Sequence, residues 1–192
     1  MDGSDSSAGG PRAAERKLVA VLVCELAAPA ALSPEQALAQ VAADLGRVKA
    51  VVGRYGGIVA DVLGETVLAV FGVPQTHDDD AERAVRSALA IRAALVDSGG
   101  DPAERLRAGV GFGEAVIRPG TGVQDQGWEI TGEVVSAALA LKNAAPAGMV
   151  LANAAALRMT ERTINYKPAG LLPGADASEP VAVWETPSKV TR

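Results

Sequence analysis

Two short apolar runs meet at a glycine turn in the segment Gly56-Gly57-Ile58-Val59-Ala60-Asp61-Val62-Leu63-Gly64-Glu65-Thr66-Val67-Leu68-Ala69-Val70-Phe71-Gly72. Runs rich in β-branched residues, joined by a two-residue loop containing Gly, are the local signature of a β-hairpin. The spacing predicts strands over Ile58–Leu63 and Thr66–Phe71, with Gly56-Gly57 before them and Val73-Pro74 after. A sheet therefore lies at the centre of the fold, and an acid, Glu65, stands at the tip of one of its turns.

The rest of the chain supplies partners for that hairpin. Lys17 to Leu26 contains Leu18-Val19-Ala20-Val21-Leu22-Val23-Cys24, short and β-branched enough for a buried strand. Ser33-Pro34-Glu35 combines a capping hydroxyl, a first-turn proline and an acid near the positive helix end. Leu38, Val41, Leu45, Val48 and Val52 follow at helical spacing until Gly53 and Gly56-Gly57 stop the helix. A second helix starts within His77-Asp78-Asp79-Asp80 and carries Ala81, Val85, Ala88, Leu89, Ile91 and Leu95 to about Asp97. After a loop over 98–102, Leu106 to Ile117 reads as a strand and Arg118 to Gly127 as a glycine-rich loop. Trp128-Glu129-Ile130 is a short strand, and Thr131 or Gly132 opens a third helix running to about Ala145. Met149–Leu151 is a strand, Ala152–Met159 a short helix, and Ile164–Lys167 and Val181–Trp184 are terminal strands. This alternation predicts an α+β sandwich built on one mixed, mainly antiparallel sheet.

Composition narrows the function. The 192 residues suffice for one domain with a proper core, and 48% are hydrophobic. Aromatics make up 3% and the net charge is −5, with no Lys/Arg run, which argues against a nucleic-acid partner. No apolar run approaches the ~20 residues of a membrane span. The single Cys24 rules out an intrachain disulfide and fits a cytoplasmic location. Residues 1–16 read as a leader or linker, 17–186 as the domain and 187–192 as a tail. His77 precedes an acidic helix start without a Ser or Cys partner of recognisable motif, so capping or solvation is expected of it. No P-loop, dinucleotide fingerprint or HExxH motif is present.

Several motifs in order carry a resemblance. Besides the hairpin, Val70-Phe71-Gly72-Val73-Pro74 runs into His77-Asp78-Asp79-Asp80-Ala81-Glu82-Arg83-Ala84-Val85. Then come Gly109-Val110-Gly111, Gly113-Glu114-Ala115-Val116, Ile130-Thr131-Gly132-Glu133-Val134-Val135-Ser136-Ala137-Ala138 and Ala144-Ala145-Pro146-Ala147-Gly148. From about Lys17 to Glu185 the chain resembles class III adenylate and guanylate cyclase catalytic domains. The resemblance implies a ferredoxin-like α+β cyclase homology domain that dimerises head to tail, with active sites across the interface. In that family one subunit gives two metal-binding Asp residues, and the other gives base-reading residues plus an Asn and an Arg. The ribose 3′-oxygen attacks the α-phosphate, releasing pyrophosphate and a 3′,5′-cyclic nucleotide, with metals clamping the nucleophile and phosphates.

Mapped residue by residue, the resemblance places the metal positions at Glu25 and Glu65, each one methylene longer than the family's Asp. They could hold a divalent ion (Mg²⁺, or Mn²⁺ or Ca²⁺ with looser geometry) or be solvated acids at a strand end and a turn. The phosphate-cradling turn becomes Ala28-Pro29-Ala30, in which Pro29 has no N–H. The base-reading positions become Asp61 and Glu129, a pair that matches neither adenine nor guanine. The transition-state positions become Ser136 for Asn and Ala140 for Arg, where losing one such donor typically costs ~10²–10³ in rate. Ala138, Leu139, Ala140 and Leu141 read as packed helix. The acids at 25, 61, 65 and 129 would converge with no cation at any matched position, although Lys142 and Lys167 could lie nearby.

These substitutions favour a catalytically degenerate, regulatory or nucleotide-sensing module, expected as a homodimer and joined to further signalling domains. An atypical Mn²⁺-dependent adenylate or guanylate cyclase and a ligand-free interaction domain are the alternatives. A heterodimer could restore activity, because two chains share each family site.

Overall fold

The computed structural model describes residues 14–97, 105–120 and 127–169, together with the backbone of Trp184–Glu185. Residues 1–13 of the expected leader, the tail, the loop over 98–102 and most of the loop after Arg118 lie outside the described residues, whereas Glu15 and Arg16, expected in the leader, open the first strand.

The hairpin forms where expected, as β2 (Ile58–Leu63) and β3 (Thr66–Phe71). Gly64, at φ 59°, supplies the left-handed turn residue, and a bulge between Val59 and Asp61 shifts the register. β1 (Glu15–Leu26) lies beside β3, and β4 (Leu106–Pro119) pairs antiparallel with the other edge of β1 along its whole length. The sheet order is β2-β3-β1-β4, with one helix between β1 and β2 and another between β3 and β4, which is the ferredoxin-like arrangement. β6 (Met149–Ala152) extends the sheet in parallel with β4, followed by β8 (Trp184–Glu185) and β7 (Lys167–Pro168). β5 (Trp128–Thr131) pairs with the distal end of β4. The first terminal strand thus begins later than expected, at Lys167, while residues 181–183 of the second lie outside the described residues. Ile164 is a buried core residue instead, and Ala152 ends β6 while Asn153 caps the helix that follows.

Two helices cover one face: α1 (Pro34–Arg54) and α2 (Asp80–Asp97). They bury Val48, Val52, Val85 and Ile91 against Ala20, Leu22, Cys24, Ala69, Phe71 and Val110. A short helix, α4 (Ala154–Thr160), adds Ala156 to the same cluster. The start of α1 is a reciprocal capping box. Gln36 N–H donates to Ser33 Oγ at 3.3 Å and Ser33 N–H donates to Gln36 Oε1 at 3.0 Å.

The expected apolar stripe of α1 is only partly used. Asp44, Val48, Val51 and Val52 face inward, whereas Leu38 is 74% exposed. At the helical period Leu38 sits about a quarter-turn from the centre of that face. Asp44 takes the inward position because cations meet it there. Arg105 and Arg47 both pair with its carboxylate, and Gln40 Nε2 donates to it at 3.0 Å. At the start of α2, His77 N–H donates to the fully buried Asp80 at 2.7 Å, and Arg83 pairs with the same carboxylate, so the His77 segment acts as a cap.

On the other face α3 (Glu133–Ala144) lies across β1 and β4, with Val134 and Ala138 against Val19, Val21 and Val23. Trp128 and Ile130 of β5 join this cluster beside Ile58, Ala60 and Leu68. The contact of α3 is unusually close because β4 presents glycine there. A Cβ on Gly109 would lie 2.3 Å from the Ala138 carbonyl oxygen and 2.5 Å from the Lys142 nitrogen. Leu139 is 44% exposed and Ala140 is exposed too, contrary to the expected packing of both. The inward positions are Val134, Ala138, Leu141 and Lys142, which puts 139 and 140 on the opposite side of the helix.

Cys24 is 1% exposed, and burial pushes its thiol up to about 12. The thiol is therefore neutral and shielded at neutral pH. Ellman's reagent is expected to label it only as fast as the chain unfolds; rapid labelling of native protein would contradict this packing.

Candidate functional site

Glu25 is the next-to-last residue of β1 and lies on the α3 face, in step with Val19, Val21 and Val23. It stands opposite Thr66 of β3 and Arg107 of β4. Cross-strand partners share a face, so a hydroxyl and a guanidinium flank the carboxylate. Glu65, one residue before Thr66, is held to the same strand end. Leu26 N–H donates to its carbonyl at 3.1 Å, and Ala28 N–H donates to its Oε1 at 3.1 Å. The backbones of Glu25 and Glu65 thus stand at the same end of the sheet.

The structure also brings a cation to Glu25. Lys142 Nζ donates to Glu25 Oε2 at 2.6 Å, with the lysine side chain 8% exposed and the glutamate 32%. The inward line of α3 carries this lysine under the helix, and the glycines of β4 let that line descend onto the strand ends. Lys167 stands elsewhere: β7 lies four strands from β1, about 19 Å away at the usual strand spacing.

As a metal site the pair is poorly equipped. Each carboxylate already accepts from an internal donor, one of them an ammonium. Among the described residues no group of three His, Cys, Asp or Glu side chains could hold an ion. Mg²⁺ needs only one or two carboxylates, with waters and phosphates completing its octahedron, but it needs their negative charge, and that of Glu25 is already taken up by Lys142. The residues as they stand do not fit such an ion.

The start of the loop after β1 is held by internal hydrogen bonds as well. Ala27 N–H donates to the Arg105 carbonyl at 2.9 Å, and Arg105 Nε donates back to the Ala27 carbonyl at 3.0 Å. Ala28 N–H is taken by Glu65 and Pro29 has none. Within the mapped turn Ala28-Pro29-Ala30 this leaves the exposed Ala30 N–H as the one backbone donor not engaged internally.

The remaining mapped residues do not join Glu25 within one chain. Glu129 pairs with Arg118 at the distal end of β4, eleven residues beyond Arg107, on the order of 35 Å along an extended strand. Asp61 is exposed on β2, the edge strand two places from β1, where its Oδ1 accepts from Val62 N–H at 2.7 Å. Ser136 and Ala140 are exposed on the side of α3 facing away from Glu25. Within one chain Asp61 and Glu129 thus lie away from the Glu25 end, and of the two acids there Glu25 carries an ion pair with Lys142. A cleft of about 470 Å³ opens between β4 and the start of α3, lined by Arg16, Phe112, Glu114, Thr131, Glu133 and Asn153. None of the mapped residues lines it.

This arrangement of sheet and helices is shared with known proteins. The adenylyl cyclase CyaB from P. aeruginosa superposes with a TM-score of 0.79 at 21% identity, covering 91% of this chain and 95% of that one. The fold is that of a cyclase homology domain. The non-canonical dimeric guanylyl cyclase domain of the RhoGC fusion protein from Blastocladiella emersonii gives 0.73 at 19% identity, covering 90% and 96%. The guanylate cyclase domain of RhGC from Catenaria anguillulae, solved in complex with GTP, gives 0.72 at 18%, covering 91% and 98%. No protein-family model matches the sequence, and no curated protein matches it. No helix among the described residues is long and apolar enough to cross a membrane.

Sequence reasoning named Lys142 without placing it and passed over Asp44, Arg105 and Arg107. A signal existed for two of them. Asp44 lies four residues before Val48, and Lys142 four after Ala138, so each is a charge on an apolar helical stripe, where a buried partner is expected.

Proposed function

We propose that this cyclase homology domain is catalytically silent and serves as a regulatory or nucleotide-sensing module in a dimeric signalling protein. One observation carries the reading: at this strand end the Glu25 carboxylate is held by Lys142, and the Ala27 and Ala28 N–H groups are engaged by Arg105 and Glu65. Ser136 and Ala140 then offer a partner chain neither the amide nor the guanidinium that phosphoryl transfer at such a site would use. Losses of residues that act together usually leave little activity.

A dimer is supported by the exposure of Leu63, 81%, at the hairpin tip and of Leu139, 44%, on the outer side of α3. The similarity to a guanylyl cyclase domain described as dimeric points the same way.

The test is direct. The purified chain, incubated with ATP or GTP and Mg²⁺ or Mn²⁺, is expected to give no cyclic nucleotide above a no-enzyme blank, while sedimentation shows a dimer. Cyclic product that disappears in Glu25→Ala would establish an active atypical cyclase instead. A folded chain that binds neither ATP nor GTP would favour a ligand-free interaction domain.

A further inference from the structure

We propose that Lys142 is a built-in cation that takes the place of a divalent ion at Glu25, at the strand end it shares with Glu65, so that this half-site is metal-independent. The inference rests on reading Glu25 and Glu65 as the counterparts of a metal-binding pair, and concerns what neutralises them.

Three features support it. The lysine side chain is more than nine-tenths buried and its Nζ contacts Glu25 Oε2 at 2.6 Å, so it is a fixed charge rather than a passing surface pair. It cannot easily withdraw. The turn of α3 that bears it is pressed onto Gly109, where a Cβ would meet the Lys142 nitrogen at 2.5 Å and Leu141 Cβ at 2.7 Å. Third, the geometry suits a long acid. The flexible glutamate side chain lets the Glu25 carboxylate meet the helix while its backbone stays in register with Thr66 and Arg107. An ion bound to Glu25 would sit within a few ångströms of this ammonium, and repulsion is strongest where water is excluded. Arg107, in register beside Glu25, adds a second positive charge on the same face.

The experiment measures Mn²⁺ binding to the whole chain by electron paramagnetic resonance and by thermal shift, comparing wild type with Lys142→Met, Lys142→Gln, Glu25→Gln and the double variant Lys142→Met/Glu65→Gln. Wild type is expected to show no saturable Mn²⁺ binding that depends on Glu25. Lys142→Met is expected to gain such binding by at least about tenfold (a change of about 1.4 kcal/mol), and to lose it in the double variant. Should Lys142→Met not fold, Lys142→Gln, which keeps a donor toward Glu25 without the charge, is expected to show the gain. If neither folds alone, folding on Mn²⁺ addition supports the proposal and its absence overturns it. Wild-type Mn²⁺ binding abolished by Glu25→Gln overturns it, as do folded Lys142 variants that bind no more Mn²⁺ than wild type. A chain that binds Mn²⁺ through Glu25 yet forms no cyclic nucleotide sinks this inference and leaves the proposed function standing.

Discussion

Asp44→Ala is expected to destabilise the fold by about 3–5 kcal/mol, because it strips the partner from a buried cation. Arg105 is 6% exposed and Asp44 1%, and the pair joins α1 to the start of β4. Arg105 also donates from Nε to the Ala27 carbonyl at 3.0 Å, and Arg47 and Gln40 reach Asp44 at 2.8 and 3.0 Å. Removing the carboxylate leaves a guanidinium with one backbone acceptor in a dry site, and it should loosen the loop after β1 as well. Urea unfolding would measure the loss. The paired replacement Asp44→Leu/Arg105→Met should recover most of it, since apolar residues of similar size often replace a buried ion pair at little cost. A loss below about 1 kcal/mol for the single variant, the scale of an exposed pair, would mean that water reaches the site.

Gly109→Ala should cost about 3 kcal/mol, the upper part of the range for overpacking. For a domain of this size that corresponds to a fall in Tm of about 6–12 °C. The added Cβ meets backbone first, the Ala138 oxygen at 2.3 Å and the Lys142 nitrogen at 2.5 Å, so no side-chain rotation relieves it and α3 has to lift. Gly113→Ala is the control on the same strand, where the nearest atom, Val134 Cβ, is 3.4 Å away and an ordinary contact results. Calorimetry showing equal Tm values for the two variants would refute the close approach of α3. Lifting α3 also withdraws Lys142 from Glu25, so Gly109→Ala should weaken the pair that neutralises the half-site.

The elements were readable because their signals are local. Gly64 between two β-branched runs, Ser33-Pro34 before a periodic segment and the acids ahead of α2 each act within a few residues, and the helices and strands begin close to those marks. Boundaries slipped where local signals are weak, as at β7, where Ile164 contributes to the core without extending a strand. The fold class followed from the order of elements, since β-α-β-β-α-β leaves few ways to bury one sheet. The burial of α3 was misjudged at Leu139 and Ala140. An alanine- and leucine-rich helix gives little contrast between its faces, so its rotation is set by the surface it meets.

What the sequence determined by itself was the hairpin with its acidic turn, the order of the strands and helices, and the presence of carboxylates at positions 25 and 65. What only the tertiary structure decided was what those carboxylates face. Glu25 and Lys142 are separated by 117 residues, and Asp44 and Arg105 by 61. Neither pairing is implied by composition or local pattern. Both depend on the rotation of a helix about its axis and on how closely it approaches the sheet. Those two quantities are fixed by side-chain packing over the whole sheet, and at β4 by the missing Cβ of Gly109.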